Sequence, residues 1–274
     1  MTCALIVIFF AVMGAVLGSF ACCQAWRLRY KETGKKDLGK RSVCLHCGKK
    51  LTWKENIPIV SWVLQKGKCR KCGKKIGKAE LLAELGGAAA FGIVGWKVCG
   101  GYAELIGNCG FGLTWLCQQD VPMVLIWVNA ALVAIFLTIA IVLAVYDAKW
   151  RELPLGLLIA LNAVGAVYAT VNLVFGEMEI VKLLEGIGIL AGVYYLLYFL
   201  SKEKLVGGGD WILCLAIAMV LGDPWLAIWV LFLSNFIGAI VMLPQKKKKI
   251  AFGPFLVVAF VIVFAFGDVI LSYV

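Results

Sequence analysis

A chain of 274 residues with 62% hydrophobic residues and a mean hydropathy of +0.93 is too apolar for a soluble domain, in which roughly half of the residues are apolar. The formal net charge of +11 is unevenly distributed, because residues 27–80 hold 17 of the 27 Lys and Arg residues. A basic segment of this kind can bind nucleic acid. Next to membrane spans it is better explained by topology, since positively charged loops stay in the cytoplasm. We therefore expect a membrane protein with no nucleic-acid partner.

The apolar residues are grouped into runs whose length matches the thickness of a bilayer, where a helix needs about 20 apolar residues to cross. The runs cover residues 3–25, 81–98, 122–146, 154–175, 183–200, 210–223, 225–243 and 252–273. The sixth run is short and begins close to a run of three glycines. The pattern predicts an all-α, polytopic membrane helix bundle with about eight transmembrane helices.

The charges of the connecting loops predict how these spans are oriented. If the basic segment 27–80 is cytoplasmic, alternate crossing places residues 99–121 outside, and they contain no Lys or Arg. The loops at 147–153 and 201–209 then lie inside, and both contain Lys residues, as does the inside segment Lys246–Lys249. Asp147 and Asp210 are therefore both expected near the cytoplasmic interface.

Two cysteine pairs in the basic segment have the spacing of a metal site. Cys44 and Cys47 are separated by two residues, as are Cys69 and Cys72, and 21 residues lie between the two pairs. Two thiolate pairs at this spacing can close a tetrahedral zinc site, in which four thiolates leave no open position for catalysis. The segment has few apolar residues, so the metal would supply folding energy. We predict a structural zinc loop in the cytoplasm.

Two acidic residues stand at the ends of predicted membrane helices, where ionisable side chains are usually functional. Asp147 follows a continuous apolar run, and Asp210 follows Gly207, Gly208 and Gly209, which allow close approach of another backbone. Structural explanations are also open: Asp147 can pair with a nearby cation, and Asp210 can cap a helix. If the two carboxyls are close, one can deprotonate water while the other protonates a leaving amine, which would hydrolyse a peptide bond.

These elements occur in an order that resembles the type IV prepilin peptidases, which are leader peptidases with N-methyltransferase activity. The similar segments are GAVLGSFACCQAWRL near the N-terminus, the cysteine segment with Trp53, Glu55, Asn56, Pro58, Ser61 and Trp62, Glu84 in AELGGAAAF, Asp147 with Pro154, the G-x-G-D signature at Gly207–Asp210, and FGPFL at 252–256. The chain differs from the family pattern at Leu45, at Leu155 and at Ile212, where the family usually has Lys.

The resemblance implies an activity and its participants. The substrate would be a type IV prepilin or pseudopilin, whose leader the family removes after a glycine at the cytoplasmic face of the bacterial inner membrane. The new N-terminus would then be methylated with S-adenosylmethionine, whose binding residues no motif in this chain indicates. By the resemblance, Asp147 and Asp210 are the catalytic pair, and Gly207, Gly208, Gly209 and Glu84 bind substrate or support the site.

Three segments are expected: a first transmembrane helix at 1–26, the cytoplasmic tetra-cysteine loop at 27–80, and a transmembrane aspartic peptidase core at 81–274. One alternative is a peptidase that lacks methyltransferase activity, although the intact cysteine loop argues against it. Another is a non-enzymatic, zinc-binding transporter or scaffold. A transporter needs ionisable groups near the bilayer midplane and internal repeats, and neither is seen in this sequence.

Overall fold

The computed structural model describes residues 2–32, 42–44, 46–105, 123–202, 206–243 and 251–273. Residues 106–122, Lys204, Lys246–Lys249 and Leu45 therefore lie outside the described residues, so the predicted location of residues 106–121 outside and of the Lys residues inside is not addressed by the structure. The α-helices are α1 Thr2–Glu32, α2 Val60–Leu64, α3 Lys78–Leu105, α4 Met123–Trp150, α5 Leu155–Val174, α6 Ile180–Ile187, α7 Val193–Ser201, α8 Gly208–Leu221, α9 Pro224–Met242 and α10 Gly253–Leu271. A π-helical turn at Gly188–Gly192 joins α6 to α7, so that these two form one continuous span.

The prediction of an all-α membrane bundle is confirmed. Within the described residues, seven helical segments are long and apolar enough to cross a membrane: α1, the first 22 residues of α3, α4, α5, the α6–α7 span, α9 and α10. The predicted short run near 210–223 forms α8, an apolar helix of 14 residues. At 1.5 Å per residue, α8 is about 21 Å long, which is shorter than the hydrocarbon core of a bilayer.

The chain divides into two compact units, Met1–Gly95 and Trp96–Val274. The first unit, called here the N-terminal unit, contains α1, two cysteine hairpins, α2 and most of α3. Within it, α1 and α3 approach closely at glycines. A Cβ atom at Gly14 would collide with the Gly87 carbonyl oxygen, and one at Gly18 would collide with the Ala83 carbonyl. Small residues let membrane helices approach at their backbones, which explains this pairing.

The second unit, called here the helical bundle, is built around α5 and α8, with α4, the α6–α7 span, α9 and α10 packed against them. The α5–α8 contact is close because Gly165 has no side chain: a Cβ atom there would lie 3.1 Å from the Ala216 carbonyl oxygen. Asn129 on α4 and Asn172 on α5 exchange amide hydrogen bonds of 2.9 and 3.1 Å. Such polar contacts hold membrane helices in register where water is absent.

Candidate active site and metal centre

Asp147 lies in the last turn of α4, and the helix ends three residues later at Trp150. Its side chain is only 5% exposed, and its Oδ2 accepts a 2.8 Å hydrogen bond from the backbone N–H of Gly253, the first residue of α10. Arg151, which is exposed and has a positive φ of 58°, adds a favourable charge nearby. The end of α4 and the start of α10 therefore fix the position of this carboxyl between them.

Asp210 lies in the first turn of α8 and is 9% exposed. Its Oδ2 accepts a 3.0 Å hydrogen bond from the backbone N–H of Gly207, just before the helix begins. Gly207 is the N-cap residue of α8 and Asp210 is its N3 residue, so the expectation that Asp210 is itself the N-cap is wrong. The Asp210 carboxyl instead binds the N–H of the N-cap residue, which uses one of its oxygens. This bond and a catalytic role are compatible, because a carboxyl has two oxygens.

The glycines before Asp210 allow other side chains to lie against the start of α8. A Cβ atom at Gly209 would lie 2.8 Å from Leu153, in the loop that follows Asp147, and one at Gly208 would lie 3.4 Å from the Tyr198 ring. Neither glycine has a positive φ. At Gly209 the lack of a side chain is therefore required by crowding rather than by backbone conformation, whereas 3.4 Å at Gly208 is an ordinary van der Waals contact.

The structure brings the two aspartates together at one end of the helical bundle. The end of α4 and the starts of α8 and α10 meet there, through the Gly253 bond to Asp147 and the contact of Gly209 with Leu153. The two carboxyls are close enough for the charge of Asp147 to act on Asp210. Two close carboxyls favour a state that holds one proton between them, because two buried negative charges repel. One group can then act as a base and the other as an acid.

A polar cluster on the neighbouring helices was not predicted from the sequence. The Tyr194 hydroxyl, on α7, lies 3.3 Å from Ser234 Oγ and accepts a 2.8 Å hydrogen bond from Asn235 Nδ2. Its ring packs against Phe252, with centroids 5.6 Å apart, next to the backbone that binds Asp147. Phe252 and Gly253 belong to the FGPFL segment, which the resemblance indicated, although it assigned the segment no role. No sequence signal indicated Tyr194.

In the N-terminal unit, the two cysteine pairs form two hairpins with the same geometry. In the first, the N–H of Cys44 donates to Lys49 O at 2.8 Å, and in the second the N–H of Cys69 donates to Lys74 O at 2.9 Å. The glycine after each pair has a positive φ, 67° at Gly48 and 68° at Gly73, which a residue with a side chain rarely adopts. The similarity of CLHCGKKL and CRKCGKKI is therefore a structural repeat.

The four thiols of these hairpins meet at one point. The Sγ atoms of Cys44, Cys47, Cys69 and Cys72 all lie within 4.8 Å of one another, and those of Cys44 and Cys72 are 4.0 Å apart. Four thiolates bound to zinc at about 2.3 Å would be about 3.8 Å apart, which is close to this spacing. The cluster fits a tetrahedral metal ion.

Glu84 lies on α3 and is 8% exposed. It accepts a 2.7 Å hydrogen bond from the backbone N–H of Ile59, which has φ 62° and ψ −55°. The N–H of Val60 donates to Pro58 O across Ile59 at 2.6 Å, so that Ile59 is the centre of a γ-turn with strained geometry for a β-branched residue. Glu84 therefore stabilises a strained turn of the N-terminal unit, and no sequence pattern predicts this bond.

A membrane-spanning helical bundle that buries two interacting carboxyls at one end has the kind of site found in aspartic peptidases. Comparisons with known proteins agree with this class. The family model for the bacterial peptidase A24 N-terminal domain matches residues 12–98, and the model for the type IV leader peptidase family matches residues 134–243.

Several relatives are named prepilin leader peptidase/N-methyltransferase. The one from Dichelobacter nodosus is 30% identical over 230 residues, which are 82% of this chain and 71% of the relative. The one from Vibrio cholerae is 26% identical over 268 residues, 94% of this chain and 95% of the relative. The one from Neisseria gonorrhoeae is 30% identical over 234 residues, 83% and 71% of the two chains. No solved structure matches this chain significantly.

The chain therefore belongs to the type IV leader peptidase family, and it is a multi-pass membrane enzyme of that family. The resemblance seen in the sequence is confirmed. The alternative of a non-enzymatic transporter or scaffold is not favoured.

Proposed function

We propose that this protein removes the leader peptide of type IV prepilins or pseudopilins after a glycine and then methylates the new N-terminal residue. The names of its relatives support both activities. The observation that carries the peptidase activity is the burial of Asp147 and Asp210 together at one end of the helical bundle. The positive loops support a site at the cytoplasmic face of a bacterial inner membrane.

In this proposal the two carboxyls divide the proton transfers of peptide hydrolysis. The unprotonated aspartate takes a proton from water, which attacks the scissile carbonyl carbon. The protonated aspartate first supports the carbonyl oxygen and then gives its proton to the leaving nitrogen as the C–N bond breaks. The Gly253 N–H holds Oδ2 of Asp147, and the Gly207 N–H holds Oδ2 of Asp210, so that each carboxyl keeps its orientation.

The glycines before Asp210 would leave space for the substrate backbone as well as for the close packing around the start of α8. A leader peptide must be extended at the scissile bond for both carboxyls to reach it. Gly207 has an extended backbone, with φ −73° and ψ 151°. It has no side chain that would obstruct an extended substrate segment lying beside it. We assign Gly207, Gly208 and Gly209 to support of the substrate, and Glu84 to support of the N-terminal unit.

The metal in this proposal is a structural zinc ion held by Cys44, Cys47, Cys69 and Cys72. The fit rests on the mutual distances of the four sulfur atoms and on the matching hairpins. Four thiolates fill a tetrahedral ion, which leaves no position for substrate. Zinc would fold the loop at residues 27–80, which in the sequence follows the first transmembrane helix, 1–26, and precedes the peptidase core, 81–274.

The methyl donor in this proposal is S-adenosylmethionine. When bound, it supplies a methyl group to the new terminal amine: its carbon–sulfur bond breaks as a carbon–nitrogen bond forms, and the amine loses a proton to solvent. The chain must bind the donor, orient the amine and exclude water, so the enzyme needs a cavity for the donor.

Cleavage of a co-expressed prepilin tests the proposal. The wild-type protein should shorten the prepilin, and Asp210→Asn should not. Asp223→Asn is the matched control, because Asp223 only caps α9, through a 2.8 Å bond from the N–H of Trp225, and Asn caps equally well. Cleavage retained by Asp210→Asn at the wild-type rate would overturn the assignment of the catalytic pair.

A further inference from the structure

Helix α2 of the N-terminal unit has its polar side chains inside and its apolar side chains outside. Ser61 and the C-cap residue Gln65 line an internal cavity of the unit. Val60, Val63 and Leu64, which share one face of the helix, are each half or more exposed, and Leu64 is 69% exposed. A surface helix in water has the opposite arrangement. The outer face of α2 therefore suits an apolar medium or an apolar partner.

Two further side chains extend this apolar surface. Trp53 lies in a turn of 3-10 helix, Trp53–Glu55, that contacts α2, and it is 73% exposed. Ile57, between that turn and α2, is also exposed. Lys54 Nζ lies 5.5 Å from the centre of the Trp53 ring, and tryptophan and lysine together are typical of the layer between water and hydrocarbon. The α2 face is defined here as the exposed residues Trp53, Ile57, Val60, Val63 and Leu64.

Contacts within the N-terminal unit place the start of α2 at the level of the membrane helices. The N–H of Ile59 donates to Glu84 of α3, and the neighbouring Ala83 meets Gly18 of α1. Gly18 lies nine residues before Arg27, the first basic residue of the chain, and thus about 13.5 Å on the membrane side of it. Even if the Glu84 side chain reaches back one helical turn, about 5.4 Å, Ile59 remains on the membrane side of Arg27. The α2 face therefore lies near the depth where hydrocarbon meets headgroups.

The segment that carries the α2 face is positively charged. Residues 46–78 are all described, and their exposed side chains include nine cations: Lys50, Lys54, Lys66, Lys68, Arg70, Lys71, Lys74, Lys75 and Lys78. The only acidic residue among residues 46–78 is Glu55, which is buried and paired with Lys49. Such a surface attracts anionic lipid headgroups, whereas a second copy of the same surface would repel it.

We propose that the α2 face is inserted into the interfacial layer of the bilayer, with the surrounding cations on anionic headgroups such as phosphatidylglycerol. The apolar side chains contact the upper part of the acyl chains, and the cations add an attraction that weakens with salt. The loop is then attached to the membrane at its middle as well as at α1 and α3. The proposal does not depend on the peptidase or methyltransferase activity.

Quenching of Trp53 by brominated lipid tests the proposal on the full-length, zinc-loaded protein in nanodiscs that hold one chain each. The fluorescence of wild type minus that of Trp53→Phe isolates this residue among the ten tryptophans of the chain. Because Trp53 is exposed, Trp53→Phe removes little packing. Bromine near the headgroup end of the acyl chain should quench the Trp53 signal about 2-fold or more, because interfacial helices lie about 5–10 Å into this layer. A Trp53 signal that brominated lipid does not quench would overturn the proposal.

A pair of variants tests the apolar contribution. Val63→Asp with Leu64→Asp places two carboxylates on the α2 face and should remove most of the quenching. Val63→Leu with Leu64→Val is the matched control, because it keeps both positions apolar, and it should be quenched like wild type. Equal quenching in the two variants would contradict insertion of the α2 face. The wild-type measurement decides the proposal even if the charged variant fails to fold.

Lipid charge and other occupants are distinguished on the same preparations. Replacement of phosphatidylglycerol by phosphatidylcholine, or a rise in salt, should lower the quenching, and quenching that does not change would overturn the role of anionic headgroups. Protection of Trp53 from aqueous iodide only when two chains share a disc would assign the α2 face to a second copy. Protection only when a prepilin shares the disc would assign it to that protein. Either result would overturn the proposal.

Discussion

The two units of this protein hold their polar residues in different ways. In the N-terminal unit, four thiols gather on two short hairpins, and the distances between their sulfur atoms fit a tetrahedral metal ion. In the helical bundle, two carboxyls are buried by the packing of long apolar helices and held by backbone N–H groups. We propose that the first arrangement depends on a bound ion, whereas the second depends on helix packing.

The difference has a consequence for variants of each unit. Removal of a metal ligand should unfold a segment of the N-terminal unit, because the loop has no core of its own. Replacement of either aspartate in the bundle by Asn should abolish chemistry and leave the fold intact, because Asn has nearly the same shape and its amide oxygen can accept the same backbone hydrogen bond.

The largest effect is expected for the aspartate pair. Asp147→Asn, Asp210→Asn and the double variant should each lower the rate of leader cleavage by about 10³-fold or more, because groups that act as a unit do not contribute additively. Rates on a purified prepilin measure this. A double variant that is far less active than either single variant would show that the two carboxyls act independently.

The metal ligands come next. Cys69→Ser should release the metal and increase proteolysis of residues 42–76, whereas Cys23→Ser, a change of a free cysteine in α1, should leave the metal content unchanged. Metal analysis of the purified proteins together with limited proteolysis measures both. One zinc ion per chain retained by Cys69→Ser would contradict ligation by four thiolates.

Gly253 offers a way to disturb the bundle site without removing a carboxyl. A Cβ atom there would lie 2.9 Å from Asp147 Oδ2, so Gly253→Ala should displace that carboxyl and lower the cleavage rate about 10- to 100-fold. Gly156→Ala is the control, because nothing lies within 4 Å of a Cβ atom at Gly156. Equal rates in the two variants would show that the position of Asp147 is not critical.

A smaller effect is expected at the strained turn of the N-terminal unit. Glu84→Gln replaces a charged acceptor of the Ile59 N–H with a neutral one, which should destabilise the turn by about 1 kcal/mol. Hydrogen exchange at residues 57–64 should accelerate about 5-fold, while exchange of the Gly48 amide, which bonds to Cys44 O, stays unchanged. Unchanged exchange at 57–64 would show that the turn does not depend on Glu84.

The last effect concerns pH. The Lys49 ammonium, 2.6 Å from Glu55 Oε1, and the Thr52 backbone N–H lower the pKa of Glu55 from 4.5 to about 2. This folded pKa is below the unfolded value, so the interaction stabilises the protein above pH 4.5, and the stabilisation is lost as pH falls from 4.5 towards 2. The melting temperature of wild type minus that of Glu55→Gln should be constant above pH 5.5 and shrink below pH 4.5.

Both proteins in this pH comparison contain the same cysteine thiolates, so metal release in acid affects them equally. A difference in melting temperature that does not change with pH would contradict the ion-pair explanation for Glu55.

The sequence predicts the local features of both units, but it does not predict the contacts between residues that are far apart in the chain. The cysteine spacing and the paired glycines indicate the hairpins, because ligands on one short loop are close in sequence and in space. The apolar runs predict the membrane-spanning helices, and the loop charges predict that Asp147 and Asp210 lie at the same side of the membrane.

Contacts between distant segments could not be predicted. The Gly253 bond to Asp147 joins residues 106 positions apart, and the Tyr194 hydroxyl meets Asn235 across 41 positions. Membrane helices are apolar on most faces, so hydropathy does not show which faces meet. The positive φ of Ile59 is also hidden, since a β-branched residue does not predict a γ-turn.

The most direct test of the catalytic pair is the mass of a prepilin recovered from cells that express wild type, Asp210→Asn or the control Asp223→Asn. We expect a prepilin that is shortened and carries an added methyl group of about 14 Da with wild type and with Asp223→Asn, and a full-length prepilin with Asp210→Asn. A shortened prepilin with Asp210→Asn would contradict the assignment of the catalytic pair.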